Sequence, residues 1–362
     1  MRKLFISFSL LFLNVGIKAQ SSFIDYNLQE YARKTLVAGI KEWGDDISQA
    51  GLCIMKSSGE VIVDINIGKF RGKVKDIPGG NGEGLPCAIS RAVLYLSLMD
   101  VFTPDYIVNI GEGVYKDSLT GCQINDCNFG KRYGRLTLQK CMDLSNVGIM
   151  VSLDSAFNRN ITKYGISLRK TGIMFHDVDD EVDNETNSWQ LWSPCDVIGM
   201  NSPFTVYQQT AWVNMVGNGG KLLMRFNNSD DMRPIYEIKT ESGLKSLREA
   251  MHLVVTEGTG KTMDSHLTST AGIVDVSRPD VINCRSCAAI AFFPYDQLCS
   301  NKYTIGVFIN KHDFPANRSM AGEVIRHIID YMVQHNYLAR TDEKKEMKEP
   351  EITNVKLHPA ER

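Results

Sequence analysis

No apolar run in the 362-residue sequence reaches the roughly 20 residues that a membrane-spanning helix needs; the one candidate, Leu4 to Val15, has about 12. Neither sign of charge dominates. Lys and Arg total 40 against 42 Asp and Glu, a net charge of -2. A chain so balanced has no bulk attraction for nucleic acid or anionic lipid, and nucleic-acid binding is set aside on that ground. Histidine is scarce, seven in all and scattered singly, and His-Glu-x-x-His does not occur. A metal-dependent hydrolase is thereby left without its ligands, and neither a metal nor any other cofactor is expected. With 43% hydrophobic and 23% charged residues the chain is neither disordered nor fibrous, and it can bury a sizeable core.

Arg2 and Lys3 precede the Leu4–Val15 stretch, and the small Ala19 closes Ile17-Lys18-Ala19. Residues 1–19 therefore read as a cleavable signal peptide, which predicts export to the periplasm or cell envelope with no stable membrane span after cleavage. Of nine cysteines, Cys122/Cys127 and Cys284/Cys287 are close enough to pair in an oxidising compartment; the odd count leaves one over, and connectivity stays open. Cys284-Arg-Ser-Cys287 has no second Cys-x-x-Cys and no nearby His pair, which favours a structural role over a redox or zinc site.

Leu28, Tyr31, Ala32, Leu36, Ile40 and Trp43 recur at helical spacing, and two strands follow, Gly51 to Met55 and Val61 to Val63, joined by Lys56-Ser-Ser-Gly59. A glycine-rich loop over 76–86 leads into a long apolar helix predicted from about Cys87 to Val101. Ala288 to Pro294 and Tyr303 to Ile309 are strand-like, and Val324, Ile325, Ile328, Ile329 and Met332 form the buried stripe of a closing helix. From Thr341 onward 11 of 22 residues are charged with signs mixed, so 341–362 reads as a disordered tail after one domain over 20–340.

Several motif matches carry no function. Gly260-Lys261-Thr262 is like the end of a phosphate-binding loop, but the leading glycine of that pattern falls at Val255. The carboxylates of His176 to Asp183 alternate as in a calcium loop, yet Val182 stands where the sharp turn needs glycine. Ser167-Leu-Arg-Lys170, Ser242-Gly-Leu-Lys245 and Lys170-Thr-Gly172 satisfy Ser-x-x-Lys and Lys-Thr-Gly in the wrong order and settings for a penicillin-reactive site.

An ordered series of short segments carries more. It runs through Asp25-Tyr-Asn-Leu-Gln29, Ile54 and Met55 before Ser58-Gly-Glu60, Thr103-Pro-Asp105, Gly111-Glu-Gly-Val-Tyr115, Leu136-Thr-Leu138 and Ser145-Asn-Val-Gly148. Tyr164-Gly165, Lys170-Thr-Gly-Ile173, Gly199, Thr205, Gln208, Asn218-Gly-Gly220, Val254-Val255 and Gly258-Thr-Gly260 continue it. Together they resemble the transpeptidase domain of class B penicillin-binding proteins, from Asp25 to about Tyr337. The resemblance implies an α/β (α+β) fold whose antiparallel central sheet is flanked by helices on both faces. It also implies a cell-envelope role, with peptidoglycan stem peptide or proteins of wall synthesis and division as partners.

The family's chemistry needs a hydroxyl nucleophile, an amine one helical turn away to take its proton, and donors for the oxyanion. At the matching place stands Cys87-Ala-Ile-Ser90: Cys87 takes the nucleophile position and Ser90 the lysine position. No lysine occurs between Lys75 and Lys116, Ser90 is followed at i+3 by Val93, and the guanidinium of Arg91 is no base. The Ser-x-Asn motif becomes Leu144-Ser145-Asn146, retaining Asn146 with Ser145 on the substrate side. Lys-Thr-Gly becomes Thr270-Ala271-Gly272, and losing its lysine removes the cation for a substrate carboxylate. Removing the nucleophile alone from a serine hydrolase costs roughly a million-fold in turnover, so the combined losses predict a pseudoenzyme. A thiol at a helix N-terminus can be nucleophilic, so a thiol acyltransferase or hydrolase using Cys87 stands as the alternative, beside a purely structural interaction module.

Overall fold

The computed structural model describes residues 23–42, 47–70, 72–77, 88–117, 121, 123–126, 134–172, 205–225, 232–276, 285–296, 302–311 and 318–338. The signal-like residues 1–19, Cys87, the acidic segment 176–183, Cys284 and the charged tail 341–362 lie outside them.

Helix α1 (Tyr26–Glu42) begins where the Asp25 carboxylate accepts the N–H of Leu28 at 3.0 Å. Its stripe of Leu28, Ala32, Leu36 and Ile40 is buried, as the spacing predicts. Strands β1 (Ile47–Lys56) and β2 (Val61–Phe70) form a hairpin closed by Gly59 N–H to Lys56 O and Lys56 N–H to Glu60 O, and β3 (Lys73–Asp76) extends it. Next come α2 (Ser90–Leu98), β4 (Ile107–Gly111), β5 (Val114–Lys116), β6 (Gln123–Asn125) and β7 (Gly134–Thr137). Helices α3 (Leu138–Leu144), α4 (Asn146–Phe157), α5 (Ile161–Arg169) and α6 (Val206–Gly217) follow, then β8 (Lys221–Arg225), β9 (Met232–Glu237) and α7 (Glu241–Thr256). The chain returns through β10 (Ala271–Val276), β11 (Arg285–Phe293) and β12 (Tyr303–Lys311) to α8 (Arg318–Gln334).

Among the described residues the main sheet has the order β10-β11-β12-β1-β2-β3 and is antiparallel throughout, with β10 at one edge. Alternation along the strands assigns its faces. Ile305, Val307 and Ile309 turn one way with Val63, Ile65 and Ile67, where Val324, Ile325, Ile328, Ile329 and Met332 of α8 and the stripe of α1 are buried. On the opposite face α6 lies close to β12 because Gly306 has no side chain; a Cβ there would stand 1.9 Å from Thr210 Oγ1. Thr304 Oγ1 donates to Asn214 Oδ1 at 2.9 Å on the same face, and the buried Trp212 gives its indole N–H to Thr171 O. Helices thus cover both faces of an antiparallel sheet, the arrangement read from the sequence.

Helix α2 differs in length from its sequence reading. It spans Ser90–Leu98 rather than 87–101, because Met99, Val101 and Phe102 fold back by N–H bonds to Leu96 O and Leu98 O, and Pro104 then bars continuation. Every α2 residue is buried among α3, α4, α5 and α7. The discounted motifs are structural here: Ser167 Oγ donates to Ser97 O at 2.5 Å, Lys170 pairs with Asp100, and Lys261–Met263 is one 3-10 turn packed against α8. Cys287 is a buried free thiol, so it is not joined to Cys284; Cys53 and Cys141 are likewise buried and free.

Candidate functional site between α2 and the edge strand

The segment entering α2 is tied down by Ala88, whose N–H donates to Gln209 Oε1 at 2.9 Å and so links it to α6. Ser90 is the buried first residue of α2. Beside it the Arg91 side chain is 6% exposed and crosses to the edge strand, with Nη2 3.3 Å from Val274 O and 3.5 Å from Asp275 Oδ1. Backbone groups of alternate residues in an antiparallel edge strand point away from the sheet. Val274 O is therefore an outward group, as is Thr270 O, which lies 2.8 Å from His252 Nδ1 of α7. That contact needs a proton on the imidazole nitrogen, since the carbonyl can only accept.

On the other side, Ser145 joins α3 to α4. Its hydroxyl accepts the Gly148 N–H at 2.7 Å as the N-cap of α4 and donates to Asp126 Oδ2 at 2.5 Å. Asp126 Oδ1 accepts the Val147 N–H at 3.0 Å, and the Asn146 backbone also supports the carboxylate. Burial nevertheless pushes the Asp126 carboxyl above its ordinary range; the hydrogen bonds from Ser145 and Val147, and then the positive charge of Arg91, offset this only in part. The neighbouring Cys141 thiol is pushed up to about 12, first by burial and then by the charge of Asp126.

The structure thus gathers Ser90, Arg91, Asp126, Ser145, Asn146, Val274 and Asp275. Thr270 is four residues, roughly 13 Å, back along the strand from Val274. Gly272 is required by sheet packing, since a Cβ would stand 2.7 Å from Ile290 O. Sequence reasoning passed over Asp126 and Asp275 and saw Arg91 only as a failed base, because no fixed spacing relates the three. Chemically, the cation set beside Ser90 is a guanidinium that keeps its proton, and the Ser145 hydroxyl is committed to a helix cap and a carboxylate.

Among the described residues no group of three His, Cys, Asp or Glu is placed to hold a metal ion, and no helix is long and apolar enough to cross a membrane.

No protein-family model and no curated protein sequence matches the chain. Solved structures do. A peptidoglycan glycosyltransferase from Burkholderia ambifaria matches with a TM-score of 0.60 and 15% identity, over 86% of this chain and 96% of that one. The transpeptidase domain of penicillin-binding protein 3 from Burkholderia pseudomallei, in its apo form, matches with a TM-score of 0.62 and 15% identity, over 89% and 98%. The chain has the fold of these domains, helices around an antiparallel sheet.

Proposed function

We propose that the chain is an exported, catalytically degenerate protein with a penicillin-binding-protein transpeptidase fold, acting in the cell envelope by binding rather than by acyl transfer. Its fold supports the setting, since the similar solved structures carry names from peptidoglycan synthesis. In this reading Cys87 fills the nucleophile position, Ser90 the lysine position and Asn146 the retained amide, with Ser145, Thr270 and Gly272 on the substrate side. Its partner is peptidoglycan stem peptide or a protein of wall synthesis or division.

One observation supports the loss of chemistry: among the described residues the basic side chain that reaches from α2 to β10 is Arg91, held by Val274 O and Asp275, a guanidinium rather than the neutral amine that acyl transfer needs. A fluorescent penicillin incubated with the purified protein is expected to leave no covalent label after denaturing electrophoresis. Labelling that disappears in Cys87→Ala would overturn this reading and establish a thiol acyl-enzyme.

A further inference from the structure

A cation drawn out of water by folding is ordinarily matched by a carboxylate, because a guanidinium or ammonium loses hydration that an opposite charge restores. One cluster departs from this, at the end of β10 away from Arg91. Arg248 of α7 is half-buried and donates from Nη2 to Tyr295 O at 3.1 Å. Lys302, 2% exposed, brings Nζ to the same carbonyl at 3.3 Å. Two positive heads thus converge on one neutral oxygen.

The surroundings of Arg248 hold it without neutralising it. Its guanidinium carbon lies 5.7 Å from the centre of the Phe292 ring and 5.9 Å from that of Tyr295, and Lys302 Nζ lies 5.3 Å from the Phe292 centre. Ring faces attract cations but carry no net charge. Among the described residues no carboxylate pairs with Arg248: Glu249 and Asp296 act on the Tyr295 hydroxyl, not on the guanidinium. Burial accordingly pushes the guanidinium below its ordinary pKa, opposed only by Tyr295. Of its five N–H donors, one is spent on Tyr295 O.

The cluster is also fixed in place. Tyr295 donates its N–H to Ser269 O at 2.9 Å and lies 3.1 Å from Ser269 Oγ, so the carbonyl both cations share is pinned to the segment before β10. Its ring is stacked on His252, with centroids 4.3 Å apart and planes 5° from parallel, and His252 Nδ1 is in turn 2.8 Å from Thr270 O. A cation held this way meets a ligand with its rotamer already set, which lowers the cost of binding.

We propose that Arg248, beside Lys302, binds a small oxyanion, a carboxylate or phosphate group, between α7 and the segment that follows β11. The planar fork of the guanidinium offers two parallel N–H groups to two oxygens of such a group, and a neutral or cationic ligand would leave the charge as it is. This site is separate from the one around Arg91 and does not rest on the binding reading above.

The test is isothermal titration of the full chain at constant ionic strength in chloride, with inorganic phosphate and, separately, with succinate as the carboxylate probe. Wild type is expected to bind at least one of the two saturably, at one site per chain. Arg248→Gln is expected to weaken that binding at least about tenfold, while Lys245→Gln, an exposed cation one turn earlier on α7, leaves it unchanged. Binding of phosphate alone assigns the site to phosphate groups and binding of succinate alone to carboxylates, and either supports the proposal. A purely structural Arg248 would lower the melting temperature of its variant equally with and without the anion. Absence of saturable binding by wild type overturns the proposal. So does binding that Arg248→Gln leaves intact or that Lys245→Gln weakens as much, which is diffuse attraction to surface charge. If Arg248→Gln does not fold, Arg248→Lys, which keeps the charge and loses the fork, takes its place, and wild-type affinity there overturns the proposal.

Discussion

The carboxyl of Asp126 is more readily protonated in the folded protein than in the unfolded chain, despite the hydroxyl of Ser145, the N–H of Val147 and the charge of Arg91. The sign follows from linkage. A group whose pKa is raised by folding contributes stability that is fully present below its unfolded value and lost as pH rises through the folded one. Asp126 should therefore contribute a fall in melting temperature on going from about pH 4 to pH 7 that the Asp126→Asn variant lacks. Thermal melts across that range would show it, and an unchanged slope would contradict the burial argument. The thiols of Cys141 and Cys287 are both raised to about 12 by burial, and burial also raises that of Cys53. None of the three should react with a thiol reagent at pH 8 until denaturant is added, because thiolate is the reactive form. Arg91, Asp126 and Asp275 were invisible as a set because their meeting depends on tertiary packing. The Leu144-Ser145-Asn146 spacing, being local, was legible.

Helix α6 starts with a reciprocal cap: Thr205 Oγ1 accepts the Gln208 N–H at 3.2 Å, while Gln208 Oε1 accepts the Thr205 N–H at 2.9 Å. Replacing Thr205 with Ala should cost about 1 kcal/mol, measured as a lower urea midpoint with the same slope. Gly306→Ala should cost more, about 1–3 kcal/mol, because its new methyl meets a Thr210 hydroxyl already bonded to Val206 O. Elements with one buried stripe could be read in advance: α1 and α8 from helical spacing, the β1–β2 hairpin from its turn, and β11 and β12 from short apolar runs. Helix α2 was over-read at both ends because it is buried all round, and a mostly apolar run without an exposed face carries no mark of where it stops.

Fold and chemistry separate most clearly in the molecule as a whole. The layered architecture was legible because many weak segments occur in one order, and each can vary while the core they build persists. The candidate site was less legible, since Arg91, Asp126 and Asp275 follow no shared spacing. One feature of the architecture also orders events in time. Strand β1 pairs along its length with β12, and the Tyr337 hydroxyl donates to Asp25 at 2.8 Å across 312 residues of sequence. A chain growing from its amino end must therefore hold its first strand half-satisfied until residue 311 has been made. The central sheet closes as one late, slow event, and premature termination before β12 yields no smaller version of the protein.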